Sequence, residues 1–220
     1  MPEQGPLGIL GGTFDPVHRA HLHLARAAVR QLGLASVVWI PAGQPWHRQA
    51  VPRTPAQHRL AMVRVAVAGE PAFRVDDTEA RSETPSYTVP TLERLRAEQG
   101  AARSLVLLMG ADAFLGLQTW HRWRELFELA HVAVAARPGA MLDAAAMPPD
   151  LAGQFCSRLA PTLTAAPAGS IVRFEIEPVE PPDLSATAVR ELLRSTPQGA
   201  ADLLPSGVLD YIRSNHLYAT

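Results

Sequence analysis

Gly8 to Leu24, GILGGTFDPVHRAHLHL, is the stretch that decides the fold. It starts as a short apolar strand, Gly8-Ile9-Leu10, and breaks at Gly11-Gly12. Thr13, Phe14 and Asp15 follow around a turn, and Pro16 is placed to open a helix over Val17–Leu32. His18 and His21 then lie one helical turn apart, so both imidazoles can face one point. A strand, a glycine turn and a helix start form an anion site, because unpaired N–H groups and the helix dipole converge there. Two histidines beside it supply donors that can follow charge as it builds on a phosphate. Each piece also has a plainer reading: Gly-Gly as a tight turn, the histidines as surface residues or part of a zinc site. Zinc needs further Cys, His or carboxylate ligands, and Cys156 is the single cysteine.

The order Gly-Gly-Thr-Phe-Asp-Pro-x-His-x-x-His is far more specific than its parts. It closely resembles the signature of the nucleotidyltransferase family built on the T/HxGH-type motif. Ala20 stands where that family carries glycine before the second histidine, a minimal change that leaves the helix able to pack.

The 220 residues suffice for one α/β domain with a sizeable core. A net charge of −1 gives no general electrostatic reason to bind nucleic acid or an anionic membrane. No apolar run spans a bilayer, Met1-Pro2-Glu3-Gln4 lacks a signal-peptide pattern, and one cysteine suits a reducing compartment, so a cytoplasmic location is expected. All 20 basic residues are arginine. Chemistry that requires lysine is therefore excluded: P-loops, Schiff-base and pyridoxal-phosphate enzymes, and lysyl-adenylate ligases. Arginine's planar fork instead suits phosphate.

Along the chain, Ser36–Ile40 reads as a buried parallel strand, and Pro41–Pro55 as a loop at its carboxyl end, where open α/β sheets bind ligands. His47 and Arg48 in that loop are either phosphate contacts or a solvated basic pair. The resembled family has Pro-Pro-His-Lys or Pro-Pro-His-Arg here, and Trp46 departs from it. Gln57–Ala68 is expected as an amphipathic helix with Leu60, Val63 and Val67 inward, Phe73–Asp76 as a strand, and Val89–Gln99 as a helix. Ser86 or Thr88 reads by itself as an N-cap. Pro85-Ser-Tyr-Thr is also similar to the segment that receives the pyridine ring in bacterial nicotinate-nucleotide adenylyltransferases, which implies that Thr88 offers backbone to a pyridine carboxylate.

Ser104–Met109 is the most apolar strand and is assigned to the sheet centre. Gly110 follows it, permitting close approach of a ligand, and Asp112 is placed to accept ribose hydroxyls. Trp120–Leu129 is expected as a helix, with Trp123 in the core and Trp120, at its start, free to stack on a planar ring. His121 replaces the tyrosine of the family's aromatic pair. His131–Ala136 and Ile171–Ile176 read as strands, the second with Arg173 and Glu175 on an exposed face. Residues 141–168, rich in Ala and Pro, hold a helix over Leu151–Leu159 and receive no chemical role. Near the end, Ser185 or Thr187 opens a helix with Arg190 one turn in, on the side of Thr187. This is either an ordinary capped helix or a triphosphate grip, and it resembles the family's Ile-Ser-x-Thr-x-x-Arg element. Leu204–Tyr218 resembles the family's closing helix.

Alternating strands and helices predict a doubly wound, mostly parallel Rossmann-like sheet in a single domain, 1–220, whose helical part 183–220 carries the second phosphate motif. No nucleophile is poised for covalent catalysis. A direct in-line displacement fits, in which a phosphate acceptor attacks the α-phosphate of ATP and pyrophosphate leaves. The resemblance implies nicotinate mononucleotide as acceptor, giving deamido-NAD. The other readings are nicotinamide mononucleotide or phosphopantetheine as acceptor, or a non-catalytic nucleotide-binding regulator. His18, His21 and Arg190 are assigned to catalysis. Gly11, Gly12, Thr13, Phe14, Gly110, Asp112, Ser185, Thr187 and Arg190 are assigned to ATP, and His47, Arg48, Thr88, Trp120 and His121 to the acceptor. Mg²⁺ is expected on the ATP phosphates without a carboxylate cage of the protein. A homo-oligomer is compatible with the sequence.

Overall fold

Two nearly continuous apolar runs form interior strands of the sheet. They are β6 (Leu105–Gly110) and β7 (His131–Ala136), and almost every residue in them is buried, as in strands covered on both faces. The computed structural model describes residues 5–45, 54–136, 142–177, 180–181 and 184–218. With β1 (Leu7–Gly12), β2 (Ser36–Pro41), β4 (Phe73–Val75) and β8 (Ile171–Glu175), they make a six-stranded sheet ordered β4-β2-β1-β6-β7-β8. Counting only these strands in chain order gives 3-2-1-4-5-6, the doubly wound Rossmann arrangement, whose direction of winding reverses between β1 and β6. The expected α/β class and parallel sheet are therefore present.

The described chain separates into two compact units. One comprises Met1–Leu10, Ala25–Val37 and Tyr87–Glu177. In it β1, β6, β7 and β8 pair in parallel, with Ile9 opposite Leu107, Leu107 opposite Val132 and Val134 opposite Arg173. β8 alternates as read from sequence, with Arg173 and Glu175 exposed. Helix α3 (Thr88–Gln99) buries Leu92 and Leu95. His131, wholly buried, accepts at Nδ1 from the Ser170 N–H at 3.1 Å, while Nε2 lies 2.8 Å from the Ala166 carbonyl, so a neutral ring is satisfied at both nitrogens.

The other unit comprises Gly11–Leu24, Val38–Ser86 and Pro178–Thr220. A short parallel ladder not read from the sequence joins β3 (Gln44–Pro45) to β5 (Pro85–Ser86). It sits beside a close backbone crossing: a Cβ on Gly43 would come within 2.1 Å of the Glu79 carbonyl oxygen, so only glycine fits. Helix α2 (Ala56–Val67) buries Leu60, Met62, Val63, Ala66 and Val67, and Arg59 lies on the same buried face. Its contacts with α8 (Val208–Ser214) include His58 Nδ1 and the Tyr211 hydroxyl, 2.9 Å apart.

Several boundaries differ from expectation. β1 continues through both glycines, and α1 spans Arg19–Leu32, so His18 precedes the helix instead of lying in its first turn. Pro16 does not open the helix; it follows a cis Asp15–Pro16 bond in the turn. Neither Ser86 nor Thr88 caps α3: Ser86 Oγ accepts from the Gly43 N–H at 3.0 Å, and Tyr87 holds the cap position without a side-chain bond. The helix expected over Trp120–Leu129 is broken. Trp120 is extended, Arg122 is left-handed with φ 57°, and only Leu126–Leu129 is α-helical (α5) after a single 3₁₀ turn. Arg122 is held there by Glu93 at 2.7 Å and Glu125 at 2.6 Å.

Candidate active site

The turn that ends β1 is built around Phe14. Its φ of 51° is left-handed, an uncommon state for an aromatic residue, and its side chain is only 2% exposed. The ring lies against the Gly12 backbone, where an added Cβ would meet Phe14 Cζ at 2.9 Å. It also packs edge-on to His21 at 5.0 Å and beside Trp39 at 5.5 Å. Burial of Phe14 thus shapes the turn and forms one wall of the histidine pair.

His18 is the residue just before α1, and its carbonyl accepts the His21 N–H at 3.0 Å. In return the His18 N–H donates to His21 Nδ1 at 3.2 Å. The second bond is one leg of a capping box, with histidine in the place usually held by Glu or Gln, while the first runs to a backbone carbonyl instead of an N-cap side chain. It has a chemical consequence. A ring nitrogen that accepts from a backbone N–H carries no proton, so neutral His21 has its proton on Nε2. The two rings are 3.9 Å apart with planes inclined by 35°. Burial pulls the His18 pKa down to about 4, and burial plus the neighbouring His18 hold His21 well below its ordinary value. Both rings are therefore neutral at pH 7. His18 Nδ1 is buried and has no hydrogen-bond partner among the described residues.

The second motif meets this turn directly. Ser185 is the N-cap of α7 (Ala186–Ser195), its Oγ accepting from the Ala188 N–H at 3.2 Å, and Val189 and Leu193 form the buried side. Arg190, one turn in, donates from Nη1 to the Asp15 carbonyl at 2.7 Å and from Nη2 to Thr187 Oγ1 at 3.1 Å. The helix is thus capped by Ser185, and Arg190 ties it to the first motif.

Three participants were not read from the sequence. Arg59 is 1% exposed and donates to four carbonyls: Thr54 at 2.9 Å, Thr13 at 2.7 Å, Ala42 at 2.6 Å and Gly43 at 2.9 Å. It thus ties the first-motif turn to the backbone on both sides of residues 46–53. A charge within the apolar stripe of α2 was the available signal. Asp15, 6% exposed, receives the Tyr218 hydroxyl on Oδ1 at 2.6 Å and the Thr54 N–H on Oδ2 at 3.4 Å. Nothing local in the sequence announces that pairing across some two hundred positions.

Of the remaining assigned residues, Gly11 is exposed, and Gly12 and Thr13 are half-buried beside the histidine pair. Gly110, Asp112, Thr88, Trp120 and His121 belong to the other unit. Gly110 ends β6 with open space where a Cβ would sit, and Asp112 is exposed in the first turn of α4 (Ala111–Leu115). Thr88 starts α3, Trp120 is half-buried, and His121 is exposed with its ring 4.7 Å from that of Tyr87. His47 and Arg48 lie outside the described residues. No three His, Cys, Asp or Glu side chains gather to hold a metal ion among the described residues. No described helix is long and apolar enough to cross a membrane.

Residues 9–192 match the family described as Cytidylyltransferase-like. A probable nicotinate-nucleotide adenylyltransferase of Dechloromonas aromatica (strain RCB) is 53% identical, covering 97% of each chain. One from Hahella chejuensis (strain KCTC 2396) is 41% identical over 99% of this chain and 98% of its own. Among solved structures, Plasmodium falciparum nicotinic acid mononucleotide adenylyltransferase complexed with NaAD shares the fold. Its TM-score is 0.74 over 97% of both chains, at 16% identity. The chain belongs to the cytidylyltransferase-like family and, within it, to the nicotinate-nucleotide adenylyltransferases.

Proposed function

We propose that this chain transfers the adenylyl group of ATP to nicotinate mononucleotide, giving deamido-NAD and pyrophosphate in NAD biosynthesis, by one in-line displacement. A phosphate oxygen of the mononucleotide forms a bond to the α-phosphorus of ATP, and the bond from that phosphorus to the pyrophosphate oxygen breaks. Nucleophile and leaving group are both anions at neutral pH, so no proton need be removed or supplied. What remains to be supplied is position and a response to charge on the phosphoryl oxygens.

The observation that carries this reading is the histidine pair. His21 is locked by the His18 N–H into the form whose Nε2–H is a donor, and neither ring is charged at pH 7. Such rings are hydrogen-bond donors and not proton shuttles, which is what the displacement asks for. On this reading His21 follows the developing charge and His18 holds the α-phosphate. Thr187, Ser185 and Arg190 hold the pyrophosphate end, and Arg190 also keeps Thr187 and the Asp15 turn in register. Gly11, Gly12, Thr13 and Phe14 line the phosphate turn, and Gly110 and Asp112 receive adenosine. Trp120, Thr88, His121, His47 and Arg48 receive the acceptor nucleotide. Mg²⁺ arrives as part of the MgATP substrate, carried by phosphate oxygens. The reaction is that of a cytoplasmic enzyme built as one nucleotidyltransferase domain, 1–220.

The test is pyrophosphate release from ATP with nicotinate mononucleotide, nicotinamide mononucleotide and phosphopantetheine as separate acceptors. Turnover with the first well above the other two is expected. Equal or greater turnover with another acceptor would reassign the substrate, and release with none would leave a nucleotide-binding regulator.

A further inference from the structure

Helix α8 ends in a turn that sends the chain back on itself. The His216 N–H donates to the Arg213 carbonyl at 3.1 Å and the Leu217 N–H to the Ile212 carbonyl at 3.0 Å, the two closing bonds of a Schellman motif. The left-handed position of that motif usually holds glycine; here it is His216, φ 50°. Tyr218 follows with φ 62°, so two of three consecutive residues take a backbone state that side chains disfavour. The outcome of this costly path is the placement of one phenol, whose hydroxyl donates to the buried carboxylate of Asp15 at 2.6 Å. Asp15 lies between the β1 turn and His18, and its carbonyl is gripped by Arg190 at 2.7 Å. Burial and the Asp15 carboxylate both push the phenol above its ordinary range, so it stays a donor at any working pH.

We propose that Tyr218 is a positioning residue for adenylyl transfer: its hydroxyl fixes the Asp15 turn, and through that turn the placement of His18 and Arg190. The proposal rests on the adenylyltransferase reading above. The experiment is Tyr218→Phe, which keeps the ring and removes only the donor, together with Asp15→Ala, which removes the acceptor, and the double variant. Each is assayed for pyrophosphate release with ATP and nicotinate mononucleotide and melted thermally. A fall in kcat of about tenfold or more is expected for Tyr218→Phe, with both KM values within about twofold of wild type, as for a small displacement of reacting groups. The double variant should be no slower than Asp15→Ala alone, because the phenol then has no acceptor left to lose. Unchanged kcat in Tyr218→Phe, or effects that simply add in the double variant, overturn the proposal. If Tyr218→Phe does not fold, Asp15→Ala carries the test: a normal kcat overturns it and a tenfold fall supports it. An active wild type beside an unaffected Tyr218→Phe refutes this inference alone, whereas a wild type inactive with every acceptor removes the adenylyltransferase reading as well.

Discussion

Replacing His21 by alanine and by glutamine separates two tasks that one ring performs. The ring accepts the His18 N–H at 3.2 Å, which closes the start of α1, and it offers Nε2–H to the proposed phosphate site. Alanine removes both. Loss of the capping bond costs about 1 kcal/mol. Loss of the packing against Phe14 at 5.0 Å and His18 at 3.9 Å adds about 1 kcal/mol. For a chain of 220 residues the sum of about 2 kcal/mol lowers Tm by about 4–8 °C. Glutamine is the ordinary occupant of this capping-box position and can accept the same N–H, so it should recover about half of that shift. It cannot reproduce the imidazole Nε2–H at the same place, so both variants should lose about 100-fold or more in kcat. Differential scanning calorimetry and a coupled pyrophosphate assay on the same preparations read the two effects independently. A glutamine variant with normal turnover would refute the phosphate role, and one as unstable as alanine would refute the capping role.

Stability should fall in acid with a defined window. His18 is depressed to about 4 in the folded chain against 6.5 unfolded, so on acidification the unfolded chain takes up the proton first. The contribution is complete above pH 6.5 and is lost toward pH 4, by about 3 kcal/mol in total. Denaturant melts at several pH values should show this slope, and His18→Asn should reduce it, leaving the part that comes from buried His21. Arg59→Met strands the four carbonyls that its guanidinium serves, and should cost about 3 kcal/mol or more in chemical denaturation. Trp120→Ala should raise the KM for the mononucleotide about tenfold through lost stacking while leaving the KM for ATP nearly unchanged; equal effects on both would contradict the assignment.

The sheet was legible because its evidence is local. LVLLMG in β6 and VAVAA in β7 are apolar without a break, and strands of that kind are buried on both faces wherever they occur. The first motif was legible for the same reason, since its order of residues is itself the signal. What stayed hidden depends on specific polar partners, near or far in sequence, that apolar patterning does not report. His18 reads as a helical residue until the His21 ring is seen to accept its N–H. Ser86 reads as a cap until the Gly43 amide is found 3.0 Å away. The Trp120–Leu129 helix has the right apolar spacing, but Arg122 is drawn into a left-handed state by Glu93, 29 positions earlier, and by Glu125. Arg59 and Tyr218 act on backbone and carboxylate groups that no periodicity reports.

Phe14 and Gly12 are coupled in a way that bears on how this site can change over generations. The aromatic ring occupies the space that a methyl group on Gly12 would need. The same ring abuts the His21 imidazole. A single carbon added in the strand would therefore be felt, through one rigid plate, at the imidazole proposed to meet the phosphate. Drift at the twelfth position alone is closed off, and a bulkier residue there needs a slimmer fourteenth to go with it.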